Sequence, residues 1–166
     1  MSGNPKRGGT PAVVTPHPSP VTHHTSAGTV LAFDFGEKRI GVATGELGLG
    51  IAHPVSTIEA ESNQQRLAAV AALVAEWNPA LLVVGLPLHP DGAEHELTRA
   101  ARRFANRLRE RFRLHTVLVD ERYTSAAADM ALAQAGTHSA RRRRALDPVA
   151  AQQILQAWFD EHPRAA

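Results

Sequence analysis

The chain has 166 residues, of which 43% are hydrophobic, and a formal net charge of only +2. This length and apolar content suffice for one compact domain and are too small for two of ordinary size. Cysteine is absent, which excludes disulfides and thiolate metal sites. The longest apolar runs fall far short of the ~20 residues that a membrane helix needs. Since no secretory signal is recognisable either, we expect a soluble, cytoplasmic protein without a membrane partner.

The composition divides the chain into a polar tail and one domain. Residues 1–28 are rich in Pro, Thr, Ser, Gly and His without any periodicity, which predicts a disordered tail. From Thr29 the pattern changes sharply to apolar runs separated by turns. We therefore expect one folded domain over residues 29–162, followed by a short C-terminal tail at residues 163–166.

The spacing of apolar residues predicts the elements of this domain in chain order. Predicted strands cover residues 30–35, 40–44, 51–58, 81–86 and 115–120. Predicted helices cover residues 64–77, 93–112 and 124–135, and a last helix opens at Asp147 and Pro148. The first three strands are joined by links too short for crossovers, whereas the later strands alternate with helices. The predicted fold class is α/β, with a mixed five-stranded sheet (a three-strand meander plus two parallel strands) flanked by helices.

Three acids stand at positions that suggest metal-assisted chemistry on phosphodiesters. Asp34 interrupts an apolar run between two phenylalanines, where an unpaired carboxylate is costly. Glu121 ends the fifth strand, and Asp147 precedes a proline. Carboxylates are the ligands that Mg²⁺ and Mn²⁺ prefer, and such ions can stabilise the attacking and leaving oxygens of a phosphate. Each acid also has a structural interpretation: a turn residue for Asp34, ordinary surface charge for Glu121 and a helix N-cap for Asp147.

Nearly all basic residues are arginines, and they cluster twice. Arg99, Arg103, Arg107 and Arg111 recur every four residues on the 93–112 helix, opposite a core stripe that begins at Leu97. Arg141, Arg142, Arg143 and Arg144 form a run just before Asp147. We predict that this run is a flexible basic loop that clamps a nucleic-acid backbone. For both clusters, a solvated surface without a ligand is the alternative.

Four ordered motifs resemble the YqgF/RuvX family of bacterial ribonuclease H-like proteins, described as Holliday junction resolvases and as pre-16S rRNA nucleases. They are Asp34-Phe-Gly-Glu-Lys-Arg-Ile-Gly-Val-Ala43, Val84-Gly-Leu-Pro-Leu88 with Asp91-Gly92, Asp120-Glu-Arg-Tyr-Thr-Ser125 and Asp147-Pro-Val-Ala-Ala151. The resemblance covers essentially residues 29–162. It departs from the family pattern at His89, where family members commonly carry asparagine.

The resemblance implies a ribonuclease H-like fold with Asp34, Glu121 and Asp147 as the catalytic acids that bind Mg²⁺ or Mn²⁺. It also implies that Arg39 and Arg122 contact phosphate or support the acids. The implied activity is a nuclease that processes the 5′ end of precursor 16S rRNA in ribosome biogenesis, with resolution of branched DNA junctions as the alternative.

Two other classes of protein stay open on the sequence. A nucleotide-binding domain of the actin and sugar-kinase type also begins with an acid in a strand–turn–strand unit, but that fold normally needs two such domains. A non-catalytic nucleic-acid-binding module would keep the arginines without needing three acids. The sequence favours neither monomer nor dimer.

Overall fold

The computed structural model describes residues 28–123 and 140–163, with only the backbone described at residues 123 and 140–145. Outside the described residues lie residues 1–27 of the tail predicted at 1–28, residues 164–166 of the tail predicted at 163–166, the predicted helix over residues 124–135 and the side chains of the arginine run at 141–144. Within the described ranges, no helix is both long and apolar enough to cross a membrane.

The described elements follow the predicted order. The strands are β1 (Thr29–Phe35), β2 (Arg39–Glu46), β3 (Ala52–Glu59), β4 (Leu81–Leu86) and β5 (His115–Asp120). The helices are α1 (Asn63–Trp77), α2 (Glu96–Phe112) and α3 (Ala140–Glu161), and a short 3-10 turn covers Glu121–Tyr123. The sheet order is β3-β2-β1-β4-β5. Strands β1, β2 and β3 pair antiparallel, and β4 and β5 run parallel to β1, which confirms the predicted mixed sheet.

The sheet separates two hydrophobic layers. Leu31 and Phe33 of β1 point into a core shared with α1 and α2. Val30 and Ala32 point to the opposite face, where they pack with Ile154, Leu155 and Trp158 of α3. Because side chains alternate along a strand, this pattern places Asp34 on the face that α3 covers.

The start of the last helix differs from the prediction. Helix α3 begins at Ala140, and Pro148 lies inside it, so the predicted opening at Asp147 and the predicted loop at residues 141–144 are both wrong. The aspartate–proline pair is a strong local start signal, yet the preceding arginines are good helix formers. The missing proline N–H costs one helical hydrogen bond. Fully buried Ile154 and Leu155 offset that cost, since they anchor the same helix on the sheet.

Helix α2 begins at Glu96, three residues later than predicted, because a compact loop precedes it. The Asp91 carboxylate accepts a hydrogen bond from the Ala93 N–H at 2.9 Å. The buried Thr98 hydroxyl donates to the Pro87 carbonyl and accepts from the His95 N–H. These bonds fix the start of α2 close to the carboxyl end of β4.

Candidate active site

Three acids from distant parts of the chain line one cavity of about 310 Å³. Asp34 lies near the carboxyl end of β1, and Glu121 directly follows β5. Because β1, β4 and β5 are parallel, their carboxyl ends meet at one edge of the sheet, where open α/β folds place their ligands. Asp147 reaches this edge from α3. The structure therefore brings together the three acids that the sequence singled out; the other lining residues are Phe35, Gly36, Glu37, Lys38, Arg39, Pro87 and Leu97.

Gly41 allows α3 to deliver Asp147 to this cavity. It is the direct partner of Asp34 in the β1–β2 register. A Cβ atom at this position would overlap the backbone carbonyl of Asp147. The helix backbone thus rests directly on β2, beside the strand residue opposite Asp34. Sequence reasoning did not assign this function to Gly41, although the residue lies inside the first motif.

Gly85 makes similar room for the second acid. A Cβ atom there would overlap Oε1 of Glu121 and would lie 2.6 Å from Cδ1 of Ile154. The bare backbone of β4 lets the Glu121 side chain lie across the strand towards Asp34. This glycine also belongs to a motif, but its function depends on a contact that only the folded chain reveals.

The environment raises the pKa of two of the acids. Burial raises the pKa of Asp34 to about 6, and the nearby Asp147 charge adds to the shift, while a hydrogen bond with Glu121 opposes it. Burial, followed by the charge of Asp34 and the hydrogen bond with it, raises the pKa of Glu121 to about 9. At neutral pH, without a cation, Glu121 is therefore protonated and donates to the Asp34 carboxylate. A cluster of acids that resists ionisation on its own is a typical feature of a functional site.

Arg39 and Arg122 both pair with acids, but in different places. Nε of Arg39 lies 2.8 Å from Oδ2 of Asp147 inside the cavity. Arg122 contacts Asp120 at 2.7 Å and donates to the Pro90 carbonyl at 3.4 Å, and this pairing lowers the pKa of Asp120. Arg39 therefore belongs to the acid cluster. Arg122 ties the end of β5 to the loop before α2 and does not line the cavity.

The donor set fits a hard divalent cation by its chemistry. Three carboxylates supply oxygen ligands. Burial is the main cause of the raised pKa values of Asp34 and Glu121, and a bound cation would favour their charged forms. In residues 28–123 and 140–163, however, no three acidic or histidine side chains are arranged so that they could already enclose an ion. Asp147 is instead engaged with Arg39.

The arginines of α2 divide into engaged and unengaged groups. Arg102 pairs with Glu94 at 2.7 Å, and Arg109 donates to the Thr116 carbonyl at 2.7 Å. Arg99 and Arg103 are exposed on the outer side of the helix, as predicted for positions opposite the core stripe. Within the described ranges, neither of them makes an ion pair.

Comparisons with known proteins identify similar chains. The family model described as "RuvX: Holliday junction resolvase" matches residues 28–161. A relative from Nitrosospira multiformis named "Putative pre-16S rRNA nuclease" is 58% identical over 81% of this chain and 89% of its own length. A relative of the same name from Dechloromonas aromatica is 59% identical over 80% of this chain and 91% of its own.

A solved structure shares the fold. It is "T. thermophilus RuvC in complex with Holliday junction substrate", with a TM-score of 0.50 and 16% identity, covering 81% of this chain and 94% of that one. The likeness confirms the predicted ribonuclease H-like architecture, and at this identity it supports the fold alone.

Proposed function

Since the chain belongs to the RuvX family, as its four motifs predicted, we propose that it is a metal-dependent endonuclease that processes the 5′ end of precursor 16S rRNA. The observation that carries this proposal is the meeting of Asp34, Glu121 and Asp147 in one cavity. The names of the two relatives supply the substrate. A module that only binds nucleic acid would have no use for three acids gathered in one cavity, two of them with raised pKa values.

In this proposal Asp34, Glu121 and Asp147 hold Mg²⁺ or Mn²⁺ through their carboxylate oxygens. The bound cation would supply Lewis-acid activation of water and stabilisation of the leaving oxygen. Asp34 is the central ligand, because it interacts with both Glu121 and Asp147. Glu121 gives up its proton when the site is loaded. Phe35, Pro87 and Leu97 form an apolar wall of the cavity, which strengthens electrostatic interactions there by limiting water.

Resolution of branched DNA is the second candidate, because the matching family model is described by that activity. One assay separates the two: cleavage of a precursor 16S rRNA fragment, a four-way DNA junction and linear RNA and DNA controls, each with Mg²⁺ or Mn²⁺. We expect metal-dependent cleavage of the precursor at its 5′ side. Preferential cleavage of the junction would favour the alternative, and no cleavage of any substrate would reject the nuclease.

The nucleic acid is proposed to leave the cavity along α2. Leu97, in the first turn of this helix, lines the cavity, so Arg99, Arg103 and Arg107 lead away from it along the outer side. Arginine forks suit phosphate oxygens. Arg39 would contact phosphate inside the cavity, and the run at 141–144 precedes Asp147 on α3. Arg122 is assigned a supporting function, because Asp120 already holds it.

Replacing both Arg99 and Arg103 by glutamine is expected to weaken RNA binding roughly five- to tenfold at physiological salt and to reduce the salt dependence by about one to two phosphate contacts. Fluorescence anisotropy at several salt concentrations measures both. Arg102→Gln is the control for each of the two single substitutions, because it removes one charge from the same helix at a position where Glu94 already neutralises it. Equal losses in the control would mean that overall charge, and not this path, governs binding.

Metal binding is expected to release a proton from Glu121. Its pKa of about 9 without a cation means that Mn²⁺ must displace the proton at pH 7. The affinity for Mn²⁺ should therefore rise by up to about tenfold per pH unit towards pH 9 and then level off. Below about pH 6, Asp34 is protonated as well, so Mn²⁺ must displace a second proton.

Calorimetry in two buffers of different ionisation enthalpy counts the released protons. Asp120→Asn serves as the control, because Arg122 keeps the pKa of Asp120 low and Asp120 therefore has no proton to release. This variant should release as many protons on binding Mn²⁺ as the wild type. A Mn²⁺ affinity independent of pH between 6 and 9 would contradict the assignment of Glu121 as a ligand.

A further inference from the structure

Arg39 is the one cationic side chain, among the described residues, that forms an ion pair inside the acid cavity. It is the first residue of β2, and its Nε lies 2.8 Å from Oδ2 of Asp147. The Asp147 side chain is only 12% exposed and that of Arg39 28%. Lys38 lines the same cavity, but it is exposed and makes no ion pair with the described residues. The cavity is therefore lined by two cationic side chains, of which Arg39 is paired with an acid and Lys38 is exposed to solvent.

The pairing divides the acid cluster. Asp34 and Glu121 interact with each other through a hydrogen bond, whereas Asp147 is held by Arg39. The guanidinium thus supplies positive charge to the third acid, at the place where a divalent cation would have to supply it. Oδ2 of Asp147 is bonded to Arg39, and the described acids do not form a group of three that could hold an ion.

We propose that Arg39 is a stand-in for the metal: it neutralises Asp147 in the ion-free protein and releases it when the cation binds. This inference rests on the proposed metal centre. The released guanidinium stays at the cavity, because the pairing of Arg39 with Glu59 of β3 fixes its backbone. There it faces the space that a scissile phosphate would enter, and a bidentate arginine–phosphate contact replaces the carboxylate contact. Arg39 is then a positioning residue whose partner changes with metal loading.

The exchange predicts an unusual sign for a substitution. Removing Arg39 leaves Asp147 unpaired beside two other acids, so the cation meets no competitor and relieves more repulsion. The Arg39→Met variant should therefore bind Mn²⁺ roughly three- to tenfold more tightly than the wild type, the order expected for loss of one competing, partly exposed ion pair. A residue that held Asp147 in its metal-binding position would give the opposite sign. A residue that served phosphate alone would give no change.

The test is calorimetric titration of the full-length protein with Mn²⁺ in the absence of nucleic acid. Lys38→Met is the matched control: it removes the same charge from the same cavity without breaking an ion pair, so it should change the affinity less than about twofold. Arg39→Gln, which keeps polarity but not charge, should agree with Arg39→Met and replaces it if the latter does not fold. In an Asp147→Asn background the Arg39 substitution should have no effect, which isolates the pair.

The outcomes separate this inference from the metal centre on which it rests. Tighter binding by the Arg39 variants, with Lys38→Met and the Asp147→Asn background unaffected, supports the exchange. Unchanged or weaker binding by the Arg39 variants overturns it while leaving the metal centre intact. A wild type that binds no Mn²⁺ overturns the metal centre and the exchange together.

Discussion

Asp34→Asn is expected to reduce the rate of cleavage by roughly a hundred- to a thousandfold with either Mg²⁺ or Mn²⁺. This is the loss associated with removal of one group that stabilises the transition state. The amide keeps the size of the side chain but lacks the negative charge that a divalent cation requires. Asp34 is the acid that interacts with both other acids, so no remaining carboxylate can take its central position.

The same substitution should make the ion-free protein more stable. The pKa of Asp34 is raised from 3.8 to about 6 by folding, so the folded state binds its proton more tightly than the unfolded state does. The contribution of Asp34 to the free energy of unfolding is fully present below about pH 4 and is lost as the pH rises through about 6. Asparagine does not ionise, so the variant avoids the cost of a buried charge. With a chelator present, the melting temperature of Asp34→Asn should exceed that of the wild type at pH 8 and approach it at pH 4. Stability gained while activity is lost is characteristic of a functional site.

Glu37→Gln provides the control, because Glu37 lines the same cavity but is exposed. It should cleave within about threefold of the wild type, as expected for a screened surface charge. Strong residual cleavage by the Asp34 variant with either ion would reject Asp34 as the central ligand. A lower melting temperature at pH 8 would show that the carboxylate serves the fold.

The sheet could be predicted from the sequence because the patterns that indicate strands involve only residues close together in the chain. Each strand is a short apolar run with clear ends, and short links forced the first three into a meander. Asp34 was recognisable for a related reason, since an acid inside a buried run needs an explanation. The beginning of α3 was not recognisable, because Pro148 is a start signal in most contexts and an interior residue here. Only burial of side chains further along, such as Leu155, decides between the two.

The meeting of the acids follows from contacts that no local pattern specifies. Glu121 reaches Asp34 because parallel β4 and β5 end at the same edge and because Gly85 leaves space. Asp147 reaches them because α3 crosses β2 closely, with Gly45 against the ring of Phe159 at one end of the contact. The pairing of Arg39 with Asp147 spans 108 residues of chain. Family motifs marked these residues as a group, whereas the geometry that gives each its function became visible only in the folded chain.

Gly41→Ala should therefore damage the site although all three acids are left unsubstituted. Its new methyl group would overlap the backbone carbonyl of Asp147, and a backbone atom cannot turn aside as a side chain can. Helix α3 would have to move away from β2, at a cost of about 1–3 kcal/mol in the free energy of unfolding. A displacement of even about 1 Å in a catalytic group can cost a hundredfold in rate, so cleavage should fall by about that factor in the molecules that remain folded.

Gly48→Ala is the control for this substitution, since it makes the same chemical change in the β2–β3 turn, at a glycine without a positive φ. Alanine at such a position should be neutral or slightly stabilising, because it restricts the unfolded chain. Chemical denaturation and single-turnover cleavage, measured on both variants, separate loss of fold from loss of geometry. If Gly41→Ala matched Gly48→Ala in both measurements, close approach of α3 to β2 could not be what holds Asp147 beside Asp34. If Gly41→Ala lost stability but kept its single-turnover rate, the glycine would serve packing alone, and the position of Asp147 would have to be set by its pairing with Arg39.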